Sequence, residues 1–231
     1  MNNVQLTFNF LKKQTVGRDN FFISPSNEDA FQAINNWQDW SAKKLGIIGP
    51  TSSGKSHLVS LWSQEVDARI ISIDDLLNRN IVDLSLNRFL ALENVHEING
   101  LKGNVRSQSE ISLLHLFNAM SENHCYFLIT GVNPPSMWNI GLADLSSRLA
   151  TLPLVYLLRP SDTMLSALIV KQFEDRQIVV SPELVGFVLK RIERSFQAVS
   201  NFVECIDRLT FTEKREITIP IARKILRKLG H

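Results

Sequence analysis

The octapeptide Gly49-Pro50-Thr51-Ser52-Ser53-Gly54-Lys55-Ser56 follows a short apolar run, residues 45–48, and precedes the helix-forming stretch HLVSLW. It fits G-x-x-x-x-G-K-[ST], a pattern that commits the chain around it to a buried strand, a tight loop and a helix start. Glycines let such a loop curl until successive backbone N–H groups point inward at phosphate oxygens. Lys55 adds a mobile positive charge at the β- and γ-phosphates, and Ser56 offers a hydroxyl to Mg²⁺. All eight residues are therefore candidate contacts for ADP or ATP with Mg²⁺.

Strand-like runs at 68–72, 89–92, 126–131 and 154–158 alternate with helical patterns. In the pattern at 110–121, Ile111, Leu114 and Phe117, with Leu113 and Met120, are expected to form an apolar face. Asp74 and Asp75 follow the second strand and suit a helix N-terminus. Trp37 and Trp40 lie before the loop in what reads as a helix, most simply as packing. Short apolar runs separated by helices predict a parallel sheet covered on both sides. Beyond Pro160 the strand runs stop, and 161–174, 181–194, 196–209 and 218–229 all read as amphipathic helices. Ser181-Pro182-Glu183 is a start signal: a capping hydroxyl, a proline at the first helical position and an early acid. The expectation is an α/β core joined near Arg159-Pro160 to an all-helical domain.

Composition narrows the function classes. Of 231 residues, 44% are hydrophobic, enough for a full core, and a net charge of +2 makes no electrostatic case for a dedicated nucleic-acid surface. No apolar stretch reaches membrane-spanning length, and the polar start MNNVQ is not a signal peptide, which leaves the cytoplasm as the default. Cys125 and Cys205 stand far apart without ligand-spaced histidines, against a disulfide framework or a zinc site. The basic residues Arg223, Lys224, Arg227 and Lys228 recur at helical spacing and read as a solvated helix face.

Two segments belong with the loop. Residues 88–95, RFLALENV, read as an apolar strand ending in Glu93, which would hold Mg²⁺ through water, although an ordinary buried strand with an acid at its end has the same pattern. Asn94 occupies the next position, where a hydrolysing enzyme places a carboxylate; an amide can position a water but cannot take its proton. The second segment is YFLITGVNPP at 126–135, followed by GLADLSSRL at 141–149.

A strand ending in a small polar residue, then a loop, then D-L-x-S-R-L before the last strand, is the layout of an AAA+ ATPase. NIGLADLSSRLA, YLLRPSD, the ending LTFTEKREITIPIARKILRKL and the opening FFISPSNEDAFQAI resemble the Hda branch of the DnaA-related AAA+ proteins. The resemblance implies an α/β fold, an AAA+ P-loop core with a parallel sheet flanked by helices, followed by a small helical lid. It divides the chain into a tail at 1–14, a nucleotide-binding domain at 15–160 and a lid at 161–231. It also implies a negative regulator of replication initiation that binds the DNA-loaded sliding clamp and stimulates hydrolysis of DnaA-bound ATP. Arg148 would be the catalytic arginine supplied in trans, although it could instead cap its own helix or pair with Asp144 at i−4. Glu93 and Asn94 would stand at the chain's own site and Phe22 beside the adenine, although Phe21-Phe22 also suits a core. Gln197 falls on or near the lid's nucleotide-sensing arginine, and Val132 stands where these families often carry Asp. Both departures, with Asn94, imply an ADP-holding protein of weak intrinsic ATPase. DnaA-type initiators continue into a separate DNA-binding domain, whereas this chain ends at His231, so direct sequence-specific DNA binding is not expected. The alternative is a self-contained P-loop ATPase or loader acting on another protein or on nucleic acid.

Gln5-Leu6-Thr7-Phe8-Asn9-Phe10 precedes any core pattern. Gln first, with apolar residues second, fourth and sixth, is the form of a sliding-clamp peptide, in which Gln5, Leu6, Phe8 and Phe10 would seat in a preformed apolar pocket of the β subunit. The same alternation also suits an edge strand docked on the core.

Overall fold

A computed structural model describes residues 23–213 and 217–230. The clamp peptide residues Gln5, Leu6, Phe8 and Phe10, and Phe22, lie outside the described residues.

Among the described residues five strands, β1 (Lys44–Ile48), β2 (Arg69–Ile71), β3 (Phe89–Leu92), β4 (Tyr126–Gly131) and β5 (Leu154–Tyr156), form one sheet in the order β2-β3-β4-β1-β5. Every pairing is parallel. Alternate residues serve opposite faces, as the strand period demands. Ile48, Leu90, Leu92, Phe127 and Ile129 join one core cluster, while Leu45, Ile47, Ala91, Tyr126 and Leu128 join the other. The first face is covered by α3 (Ile73–Asn78), α4 (Ile81–Ser85), α5 (Gly103–Glu122) and α6 (Ala143–Ala150). The second is covered by α1 (Glu28–Asn35) and α2 (Lys55–Val66). With both faces buried, the strands read as continuous apolar runs, which is why β3 and β4 fall where the sequence predicts them.

After β5 come four helices, α7 (Asp162–Glu174), α8 (Pro182–Leu189), α9 (Phe196–Glu213) and α10 (Ile219–Lys228). They enclose a core of their own that includes Leu165, Phe173, Val188, Phe202 and Leu226. Ser181 caps α8 as expected, its hydroxyl accepting from the Leu184 N–H at 3.3 Å. Among the described residues, no helix is long and apolar enough to cross a membrane.

Three expectations are corrected. Ile111 is exposed, and the buried face of α5 is Leu113, Leu116, Phe117 and Met120 with Glu110. That helix starts seven residues before the predicted point, because Glu110 is anchored: Arg106 pairs with it at 3.1 Å and the Leu142 N–H donates to it at 2.9 Å. Trp37 opens a 3-10 turn, Trp37–Asp39, and Trp40 is the extended residue between it and a second turn, Ser41–Lys43, so neither lies on an α-helix. They pack as expected: Trp37 meets Tyr126 edge-on at 4.9 Å, and Trp40 lies 5.1 Å from Trp62. Finally, α8 stops at Leu189, not at 194, and the mostly polar residues after it form a turn leading into α9.

Candidate nucleotide site

Parallel register brings three strand ends to one place. Ile48 at the end of β1 lies beside Gly131 at the end of β4, and the Gly49 N–H donates to the Gly131 carbonyl at 3.1 Å. On the other side of β4, Leu92 lies beside Ile129. The Asn94 N–H donates to the buried Thr130 hydroxyl at 2.9 Å, which fixes the turn after β3 against β4. Asn94 is itself left-handed, φ 55°, a conformation asparagine tolerates better than most residues. Glu93 and Asn94 therefore stand at the mouth of the loop that follows β1, at the carboxyl edge where open parallel sheets bind ligands.

The loop cannot carry other residues at its hinges. A Cβ on Gly49 would come within 2.6 Å of the Leu157 carbonyl oxygen. Gly54 has φ 102°, reserved for glycine, and Ser52 is also left-handed at φ 58°. Left-handed residues of this kind are what an anion nest requires, and the loop leads directly into the N-terminus of α2.

Lys55 is buried within that loop, its Nζ donating to the Gly49 and Pro50 carbonyls at 2.7 and 2.8 Å. Burial pushes its pKa below the usual lysine range, and the Glu93 carboxylate opposes that shift. Ser56 and His57 are exposed on the first turn of α2. Three buried polar atoms without a hydrogen-bond partner belong to this neighbourhood: Ser53 Oγ, Glu93 Oε1 and His96 Nδ1. Burial lowers the His96 pKa, with Glu97 raising it and Lys55 lowering it further. An unpaired carboxylate oxygen facing a lysine at a glycine-hinged loop is a donor set that fits a hydrated Mg²⁺ and a polyphosphate.

The helical domain closes on the loop from above. The Phe196 N–H, at the start of α9, reaches the Ser52 carbonyl at 3.4 Å. Its ring would lie 3.4 Å from a Cβ on Gly54. Buried Ser195 caps α9, accepting from the Ala198 N–H at 3.1 Å. Gln197, next to Phe196, is exposed, its amide donating to Asn201 Oδ1 at 2.8 Å. Arg194 pairs with Asp162 at 3.0 Å, so its charge is met within the helical domain. Val132 is half-buried just past β4, with exposed Asn133 beside it. Sequence reasoning missed Phe196 and His96; no spacing rule links an aromatic residue in α9 to a loop so far back in the chain.

Arg148 lies elsewhere. It is on α6 and shares a cavity with Lys44, the first residue of β1, whereas Gly49 follows the last. Five strand residues at roughly 3.3 Å each put about 16 Å between those ends, so Arg148 does not serve the loop of its own chain. Its Nε lies 3.3 Å from Asp144 Oδ1, a separation that makes an ion pair, but the atom has no hydrogen bond of good geometry. An i,i+4 pair of this exposure contributes about 0.2–0.5 kcal/mol, which leaves the guanidinium free to exchange partners.

Residues 162–226 match the family model of the Hda lid domain. Among solved structures, domain III of the replication initiation protein DnaA from Thermotoga maritima superposes with a TM-score of 0.76 at 17% identity, over 90% of this chain and 94% of that one. AMPPCP-bound DnaA from Aquifex aeolicus gives 0.68 at 16% identity, over 82% of this chain and 64% of that one. A Thermotoga maritima RuvB mutant gives 0.62 at 15% identity, over 89% and 68%. At these identities the structural likenesses establish the fold, an AAA+ α/β core with a helical lid.

Proposed function

We propose that this chain, whose residues 162–226 match the Hda lid domain and whose fold is that of DnaA domain III, restrains replication initiation by activating a partner's ATPase. In this reading it holds ADP, docks on the DNA-loaded sliding clamp through Gln5, Leu6, Phe8 and Phe10, and stimulates hydrolysis of DnaA-bound ATP in the cytoplasm. The observation that carries it is the placement of Arg148, half-exposed and at the opposite end of the sheet from its own phosphate loop. A permanently charged, multi-donor guanidinium there is out of reach of its own chain's phosphate loop and suits a neighbour's nucleotide.

The chain's own site is built to hold more than to hydrolyse. Backbone N–H groups of the loop at 49–56 would cradle the phosphates, and Lys55 and Ser56 would meet them with side chains. Glu93, with one oxygen unpartnered, would hold Mg²⁺ through water. Bound Mg²⁺ would neutralise phosphate charge there. Asn94 cannot accept a proton from an attacking water, and exposed Gln197 brings no charge to the phosphates. Phe22 would border the adenine. The functional units in this reading are the tail at 1–14, the nucleotide-binding domain at 15–160 and the lid at 161–231.

The test is DnaA-bound ATP turnover with clamp and DNA. Arg148→Ala should retain ADP and clamp yet lose stimulation, since an arginine in trans contributes ~10³–10⁵ in rate to P-loop NTPases. Replacing Gln5, Leu6 and Phe8 with Ala should remove clamp binding and leave ADP bound. Turnover of ~1 per second by the isolated protein, within the range of ordinary enzymes, would instead make it a self-contained ATPase.

A further inference from the structure

At the N-terminal ends of β1 and β5 the surface opens into a cavity of about 590 Å³. Its cations are Lys43, Lys44 and Arg148, its walls include Trp40 and Phe117, and no carboxylate lines it. Lys44 is 5% exposed. Its Nζ donates to the Ala42 carbonyl at 3.2 Å and sits 5.1 Å from the Phe117 ring centre, with no acidic partner among the described residues. Lys43 donates to the His124 carbonyl at 2.9 Å and lies 5.2 Å from the Tyr126 ring centre. Asp144 faces Arg148 from the same helix; Asp39, next to Trp40, and Glu122, next to Ser121, are exposed and outside the lining.

An ammonium largely withdrawn from water without a counter-charge costs stability, and replacing it by an apolar chain of the same shape gives up only one neutral hydrogen bond and a ring contact. Burial first, and Arg148 second, push the Lys44 pKa down. The backbone around it is costly as well. Ala42 (φ 49°), Lys43 (φ 57°) and His124 (φ 52°) are all left-handed without being glycine, a clustering associated with ligand sites. Three cations and no acid in the lining favour a multiply charged anion, and the volume lies within the range of small-ligand sites.

We infer that this cavity is a second anion site, remote from the phosphate-binding loop, that takes a small phosphate-bearing ligand between Lys44 and Arg148 with Lys43 at the rim. The site goes beyond the regulatory reading and needs neither clamp nor DnaA for its test. Its occupant would compete for Arg148 with any nucleotide presented by a neighbour.

The experiment uses the full chain carrying Lys55→Ala, which weakens the other phosphate site, titrated with pyrophosphate by calorimetry and by thermal shift. One-site saturable binding is expected, weakened at least about tenfold by adding Lys44→Met, a change of ~1.4 kcal/mol. Without ligand, Lys44→Met should melt higher than its parent, because the buried charge is gone and the apolar stem remains. Pyrophosphate should then no longer raise its melting temperature. Lys43→Ala, at the rim, should fold normally and weaken binding by a smaller factor, which keeps the idea testable if Lys44→Met misfolds. Absence of saturation at millimolar pyrophosphate, or equal affinity with and without Lys44 or Lys43, overturns the site. Binding of polyglutamate but not pyrophosphate also overturns it, in favour of protein carboxylates.

Discussion

Lys55 spends its hydrogen bonds on the carbonyls of Gly49 and Pro50, so a phosphate must compete with the loop itself. The balance still favours the ligand, because a charge-assisted contact contributes about 1.5–3 kcal/mol and those carbonyls are neutral. Lys55→Ala should therefore weaken ADP binding by roughly 10- to 100-fold, with an unchanged circular dichroism spectrum; nucleotide copurifying at the wild-type level would exclude the loop as the site. Glu93→Gln keeps the shape and removes the charge, so the Mg²⁺ dependence of nucleotide affinity should flatten while Mg²⁺-free binding persists. At this scale the octapeptide was readable because its types and spacing encode backbone geometry. The inward fold of Lys55 and the unpaired oxygen of Glu93 were not, since both depend on residues from other strands.

Short helix α3 shows how an element can be held by its first turn. Ser72 Oγ accepts from the Asp75 N–H at 3.2 Å, and Asp75 Oδ2 accepts from the Ser72 N–H at 3.1 Å, a reciprocal cap. The Ser72 N–H first, then Arg79 and the Ser72 hydroxyl, hold the Asp75 carboxyl below its ordinary range. A carboxylate lowered on folding contributes stability that is complete above its unfolded value, about 3.9, and is lost as pH falls through the lower native value. Asp75→Ala should cost about 0.3–1.5 kcal/mol at neutral pH, with the deficit narrowing in acid; urea melts at several pH values check this. The acids at 74 and 75 signalled that N-terminus in advance. Residues 103–109 carried no such signal, because GNVRSQS lacks an apolar period and its helix depends on the tertiary contacts of Arg106 and Glu110. The end of α8 was misplaced for a related reason: Ile192 is buried and continues the apolar spacing, yet it lies in a turn.

Across the whole molecule, the lid keeps a separate core yet touches the nucleotide loop through Phe196, so closure of the site and folding of the lid are separable. Phe196→Ala should leave the lid folded and release a fluorescent ADP analogue about tenfold faster, equal to ~1.4 kcal/mol; an unchanged release rate would show that the ring does not gate the loop. The alternation of strands and helices made the sheet and the helical tail legible from residue order alone, whereas the contact between them joins residues 52–54 to 196 and left no local trace. The two ends of the sheet also differ in kind, with the phosphate loop at one and Arg148 at the other. A contact that brings the arginine of one such module to the loop of the next joins unlike surfaces. It cannot be satisfied by two-fold pairing, in which each copy presents the same patch. Repeated among related modules, it leaves a free donor at one end and a free acceptor at the other, the geometry of rings and filaments.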